Sequence, residues 1–184
     1  MEHNFHVIDD YLTEEETKIL LEMVTVHSGF DPKPNFEGTG ILDKSHLEGG
    51  EYPIDFDPTK LLLKVINKVE DYYRSTHEFL GTFEFNRSFG VTMFEGAVLP
   101  AHRDEDANND GTYDGRKRSH VCSIILNDDY EGGELLFPDQ NKSIKPKAGS
   151  MVLFPGYYVS HGVSEILKGT RRVLLVFFYD TIDK

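Results

Sequence analysis

After Gly81 the apolar residues stop recurring at helical spacing and fall on every second position, with Phe83, Phe85, Phe89, Val91 and Met93 sharing one face with Arg87. A period of two is the signature of a strand whose alternate side chains point to opposite faces. Short apolar runs follow at 99–104, 119–127, 133–138, 143–146, 149–154, 158–163 and 170–179, separated by turn clusters such as DDYEGG and PDQNK. Seven or eight short strands in about 100 residues restrict this part of the chain to a β-sandwich or barrel.

The first part reads differently. In LTEEETKILLEMV, Thr13 is followed three positions later by Glu16, a capping-box pattern, and Ile19, Leu20, Met23 and Val24 recur at helical spacing. Asp57 caps a second predicted helix with Pro58 at its first position and an apolar stripe of Leu61, Leu62, Val65, Ile66, Val69 and Tyr73. Residues 28–54 are rich in Gly, Pro and charge and read as a long connection with a short strand around 40–42. No repeat or linker divides the chain, so the expectation is one domain over 1–184, with helical support over about 1–80 packed against a β core over about 81–184.

A formal net charge of −13 excludes the cationic footprint of a nonspecific nucleic-acid binder and disfavours attachment to anionic membranes. The single cysteine, Cys122, lies in the apolar run VCSIIL and reads as a buried thiol in a reducing compartment. The start MEHNFHVIDDYL carries no basic-then-apolar leader, and no apolar run reaches about 18 residues. A cytoplasmic location is therefore expected.

Chemistry concentrates in HRD at 102–104. Residues two apart in an extended segment share a face, so His102 and Asp104 point together while Arg103 points away. His-x-Asp alone is a weak signal. A later histidine, His161 in FPGYYVSHGV, also lies beside a predicted strand end, where a barrel mouth can gather all three. Two imidazoles and one carboxylate are the ligand set that holds Fe(II) while leaving positions open. Ten positions on, Arg171 and Arg172 begin the strand GTRRVLLVFF on opposite faces. A guanidinium beside such a metal suits bidentate capture of a carboxylate. Arg171 alternates with Val173, Leu175 and Phe177, but Leu174, Val176 and Phe178 are equally apolar, and the pattern alone does not choose between the faces.

The segments HRD, ILNDDYEGGELLFP (125–138), KPKAGSMVLFPG (145–156) and HGVSEILKGTRRVLLVFF (161–178), together with the opening FHVIDDYLTEEE, resemble the Fe(II)/2-oxoglutarate-dependent dioxygenases, in particular the prolyl 4-hydroxylase-like branch. The resemblance is thinnest over 28–80. It implies an α+β, mainly β fold with a double-stranded β-helix (jelly-roll) core. It makes His102, Asp104 and His161 the iron ligands and Arg171 the partner of the cosubstrate's distal carboxylate. The implied cofactors are Fe(II), 2-oxoglutarate and O2, with ascorbate as an accessory reductant. The implied reaction is hydroxylation of an aliphatic carbon with decarboxylation of 2-oxoglutarate to succinate, most naturally that of a prolyl 4-hydroxylase acting on peptidyl proline. Asp104 favours hydroxylation over halogenation, since related halogenases lack that carboxylate. Two departures stand out: Phe94 occupies the place of a usual tyrosine, and with no tryptophan in the chain the strand after the basic residue offers Phe177 and Phe178. Hydroxylation of a free amino acid or another small metabolite is the alternative enzymatic reading, and a metal-binding β-barrel sensor or interaction module without turnover is the third.

The loop DEDANNDGTYDGRKRS after the iron motif reads either as solvated chain or as a substrate lid, with Tyr113, Arg116 and Arg118 as candidate substrate contacts. An EF-hand reading fails because the twelfth loop position is Lys117 rather than a bidentate glutamate. Gly132-Gly133 reads as a tight turn, since no helix start follows it to cradle a phosphate.

Overall fold

The computed structural model describes residues 5–26, 32–33, 36–41, 58–76, 82–104 and 117–181. Along the chain run β1 (His6–Ile8), α1 (Glu14–Val26), β2 (Pro32–Lys33), β3 (Phe36–Ile41), α2 (Pro58–Thr76), β4 (Thr82–Phe94), β5 (Leu99–His102), β6 (Lys117–Ile125), β7 (Glu131–Gly132), β8 (Leu135–Phe137), β9 (Lys142–Ile144), β10 (Met151–Phe154), β11 (His161–Val163), β12 (Ile166–Lys168) and β13 (Thr170–Thr181). Every strand pairing is antiparallel. A seven-stranded sheet in the order β1-β10-β6-β13-β4-β3-β2 and a four-stranded sheet in the order β5-β11-β8-β9 form the jelly roll, with β12-β7 as a small ribbon.

The first helix starts where its capping residue dictates. Thr13 N–H donates to Glu16 Oε2 at 3.0 Å and Glu16 N–H donates to Thr13 Oγ1 at 3.1 Å, the reciprocal pair of a capping box. Lys64 of α2 pairs with the same Glu16, and the Tyr11 hydroxyl donates to the Val65 carbonyl at 3.1 Å, tying α2 to the entry of α1.

The central strands β10, β6 and β13 of the large sheet are buried on both faces, and alternation along them splits the core in two. Leu174, Val176 and Phe178 of β13, with Cys122 and Ile124 of β6, pack against Leu20, Met23 and Val24 of α1 and Val65, Ile66 and Val69 of α2. Val173 and Phe177 of β13 and Val121 and Ile125 of β6 face the other way, toward Leu135 and Phe137 of β8 and Val163 of β11. Helices thus cover one face, while the second sheet covers the other and leaves a cavity.

Several strand ends fall inside the expected ranges: β5 stops at His102 rather than 104, and β11 begins at His161 rather than 158. The strand expected around 40–42 is β3, and the period-two run after Gly81 is one strand, β4, paired with β13 nearly end to end. The strand β1 and the ribbon β7-β12 have no counterpart in the sequence reading. Asp57, Tyr113, Arg116 and the rest of the candidate lid at 105–116 lie outside the described residues, as do the side chains of Tyr73 and Arg118.

Phe178 is fully buried between the helices and the sheet, so Phe178→Ala is expected to cost about 3–5 kcal/mol as a large-to-small core change. Removing the cap with Thr13→Ala should cost only about 1 kcal/mol. Urea unfolding followed by circular dichroism checks both, and equal losses would mean that the helix-facing cluster is not what holds the sheet.

Candidate metal centre

His102 is the last residue of β5 and His161 the first of β11, and the two are direct partners in the antiparallel register. Their rings stand 4.5 Å apart, and the His161 ring also lies 4.6 Å from Phe154. Asp104 lies just past β5, where its backbone N–H donates to the Gly156 carbonyl at 3.0 Å. That bond turns the carboxylate under the two rings.

The donor set has one orientation. His102 Nδ1 lies 3.0 Å from the Pro100 carbonyl and His161 Nδ1 lies 3.0 Å from the Val159 carbonyl. A carbonyl only accepts, so each Nδ1 carries the proton and each Nε2 keeps its lone pair. Those lone-pair nitrogens sit 3.7 Å (His102) and 3.8 Å (His161) from Asp104 Oδ1. One ligand atom from each of the three residues lies within 4.8 Å of the others, the spacing of donors around a single ion.

The electrostatics fit a cation. Asp104 is 8% exposed and His161 6% exposed, and among the described residues buried Asp104 Oδ2 has no hydrogen-bond partner. Burial raises the Asp104 carboxyl above the usual range, opposed by His161 and His102, and burial lowers His161, opposed by the Asp104 charge. A buried carboxylate with an orphaned oxygen beside two imidazoles is a donor set that suits a divalent metal. The glycine at 156 makes room for the carboxylate: a Cβ there would meet Asp104 Oδ2 at 2.0 Å and Val121 Cγ2 at 2.5 Å.

Arg171 opens onto the same cavity of about 130 Å³, which is lined mainly by apolar side chains including Val91, Leu175 and Phe177. Since one water needs about 10–15 Å³ of such space, the cavity holds on the order of ten heavy atoms. The structure chooses between the two arginines: Arg171, Val173, Leu175 and Phe177 line the cavity, and Leu174, Val176 and Phe178 face the helices. Arg171 is 2% exposed, its Nη1 lies 3.9 Å from Met93 Sδ, and its Nε has no partner. Among the described residues no carboxylate pairs with it. Burial works against its charge and contact with Tyr130 supports it. Next to the guanidinium, Met93 rather than Phe94 faces the cavity, and the hydroxyl that meets Arg171 is that of Tyr130.

Asp139, in the 3-10 turn Pro138–Gln140, was not singled out in the sequence. Its Oδ2 accepts from Arg103 Nη2 at 3.0 Å and from Ser160 N–H at 3.2 Å. One carboxylate oxygen therefore ties the segment bearing His102 and Asp104 to the residue preceding His161. Only Arg103's outward direction was legible beforehand; its partner depends on a turn 36 residues away.

Residues 89–180 match the 2OG-Fe(II) oxygenase superfamily. Prolyl 3-hydroxylase 2 of Homo sapiens is 37% identical over 205 aligned positions, covering 94% of this chain and 29% of that protein, so the chain spans less than a third of this relative's length. Among solved structures, a viral collagen prolyl hydroxylase from Paramecium bursaria Chlorella virus-1 in complex with 2OG superposes with a TM-score of 0.72 at 17% identity, covering 95% of each chain. A Pseudomonas putida prolyl-4-hydroxylase superposes with a TM-score of 0.72 at 19% identity, covering 97% of this chain and 93% of that one. These two likenesses are likenesses of fold.

Gly156→Ala drives a methyl group into Asp104 and is expected to weaken divalent-metal binding by about 100-fold or more, beyond the usual effect of disturbing a ligand's support. Asp104→Asn should lose metal binding to the same degree yet unfold, in chelator, at the wild-type denaturant concentration or above it, because it removes a buried charge. Calorimetric titration with Co(II) and urea unfolding in chelator measure the two effects. Undiminished Co(II) binding by Asp104→Asn would remove Asp104 from the ligand set.

Proposed function

We propose, from the premise that this chain belongs to the 2OG-Fe(II) oxygenase superfamily, that it is a 2-oxoglutarate-dependent dioxygenase acting on peptidyl proline, with His102, Asp104 and His161 holding its iron and Arg171 its cosubstrate. The cofactors of this family are Fe(II) and 2-oxoglutarate. The observation that carries the assignment is the pairing, in one apolar cavity, of an under-neutralised carboxylate between two imidazoles with a guanidinium that has no counter-ion among the described residues. A metal alone satisfies the first and leaves the second. A dicarboxylate that reaches from the metal to Arg171 satisfies both.

When bound, the iron with 2-oxoglutarate and O2 supplies the oxidising equivalent that places a hydroxyl on an aliphatic carbon, releasing succinate and CO2. The chain's own residues do the rest. The two Nδ1–H groups, donating to the Pro100 and Val159 carbonyls, hold both imidazoles in the tautomer that presents Nε2. Arg171 fixes the distal end of the cosubstrate and so aims its other end at the His-Asp-His cluster. The apolar walls, among them Val163, Leu175 and Phe177, keep water from the reacting groups.

The choice of peptidyl proline is supported by relatives named for prolyl hydroxylation and by the open side of the cluster, where the His102 side chain is 38% exposed and a chain can approach. The relatives' names divide between 3- and 4-hydroxylation, so amino-acid analysis of product is the measurement that fixes the carbon. A cytoplasmic location belongs to the same proposal and rests on Cys122, a buried free thiol. An endogenous pool found only in an oxidised, secreted fraction would overturn it.

The protein with Fe(II) is expected to convert 2-oxoglutarate to succinate slowly alone and faster with a proline-containing peptide, whose mass rises by one oxygen atom. Asp104→Ala abolishes both activities. Arg171→Ala raises the KM for 2-oxoglutarate by roughly 10- to 100-fold, from the 1.5–3 kcal/mol of hydrogen bonds to a charged group. A free amino acid hydroxylated in preference to every peptide would replace the proposed substrate class, and iron and cosubstrate bound without succinate from any substrate would replace the enzyme by a sensor.

A further inference from the structure

Arg171 is held by an apparatus of its own, most of it from the segment 126–133, with Lys145 added from just past the end of β9. Asn127 is buried and brackets the arginine's backbone on both sides. Its Nδ2 donates to the Thr170 carbonyl at 2.7 Å, and its Oδ1 accepts from the Arg172 N–H at 2.7 Å. The same Nδ2 reaches Asp129 Oδ1 at 2.6 Å, which locks the amide orientation, and Leu126 N–H donates to the Arg172 carbonyl at 3.0 Å.

The side chain is held next. Tyr130 is 5% exposed, and its hydroxyl stands against the Arg171 guanidinium, whose charge it supports. Lys145 clamps the tyrosine from the far side, its Nζ standing 4.4 Å from the ring centroid and donating to the Tyr130 carbonyl. Gly133 then completes the turn at φ +65°, where an added Cβ would meet Ile166 Cδ1 at 2.6 Å, Tyr130 Cε2 at 2.8 Å and Arg171 Cδ at 3.1 Å. The glycine serves both the left-handed turn and the close approach of tyrosine and arginine.

We infer that Tyr130 and Asn127 are positioning residues that set the direction of the Arg171 guanidinium, and thereby the preference of the cavity for a 2-oxo acid bearing a distal carboxylate over one without it. The inference rests on the reading of Arg171 given above. A long arginine side chain loses considerable rotamer entropy when it is fixed. A guanidinium fixed before the ligand arrives has already incurred that loss, so the anion meets a preset fork. Tyr130 thus supplies the hydroxyl absent at Phe94, and it acts through the arginine: Tyr130 lies outside the cavity lining, whereas Arg171 is part of it.

The test compares 2-oxoglutarate with 2-oxopentanoate, which has the same chain length and no distal carboxylate. Both are titrated calorimetrically into the full-length, Fe(II)-loaded protein under nitrogen. Wild type should bind the diacid far more tightly. Tyr130→Phe, which keeps the ring and its packing, should weaken 2-oxoglutarate about tenfold while leaving 2-oxopentanoate and Fe(II) affinity unchanged. In turnover, its KM for 2-oxoglutarate should rise with kcat held. Asn127→Asp, close in shape but without the donor to Thr170, should show the same diacid-specific loss and keeps the test decisive where Tyr130→Phe folds poorly. Equal weakening of both acids would reduce Tyr130 to a structural residue and overturn the inference, as would an unchanged preference in both variants. A wild-type protein that binds the two acids alike would instead overturn the reading of Arg171, and the inference with it.

Discussion

The site depends on two buried groups in one apolar cavity that the described residues leave short of partners: the Asp104 carboxylate with an orphaned oxygen, and the Arg171 guanidinium with an unpartnered Nε. Left empty, such an arrangement is costly, because desolvation penalises each charge and no direct partner repays it. The pairing of ligands explains why the fold tolerates it. A divalent cation at Asp104 and a dianion reaching Arg171 bring no net charge between them, yet each satisfies one deficit. Binding energy is available at both ends of the cavity because the protein has left both ends unsatisfied.

The cost is carried by the other face of the large sheet. On β13 alone, Leu174, Val176 and Phe178 pack into the helix-backed cluster while Arg171, Val173, Leu175 and Phe177 line the cavity. Burial on the helix side stabilises at about 25 cal/mol per Å² of apolar surface removed from water. A single strand thus separates stability from chemistry by alternation. A slip of one residue in its register would turn Arg171 toward the helices. Extended pairing of β13 with both β4 and β6 guards against such a slip.

That division also explains what could be read from the sequence. The spacing of HRD and the position of His161 by a strand end were legible because metal ligation demands particular residue types, and the structure brings all three together. The capping box at Thr13 and Glu16 was legible because it is local. The facing of β13 was not: a sheet covered on both sides is apolar on both faces, so alternation gives no contrast, and only resemblance favoured Arg171 over Arg172. Tyr130, Asn127 and Asp139 escaped for another reason. Asn127 clamps Thr170 and Arg172, 43 and 45 positions away, and Asp139 joins Arg103 to Ser160. Such pairings exist only once topology has placed distant turns side by side, and the turn DDYEGG showed its glycines without showing what they turn around. The strand β1 and the ribbon β7-β12 were missed because two- and three-residue strands carry no measurable period.

The burial gradient across the cluster gives the site a direction. His161 and Asp104 are buried while the His102 side chain is 38% exposed, and Arg171 at 2% marks the closed end of the same cavity. Among the three ligands and Arg171, exposure is greatest at His102 and least at Arg171, so the His102 side is the open side. On the proposed function, a diacid held at Arg171 lies in the depth of the cavity and the substrate meets the cluster at its exposed His102 edge, so substrate choice belongs to the surface around His102. A change of substrate among such chains then needs no change in the cavity, and the walls that hold Asp104 and Arg171 can stay fixed while the mouth varies.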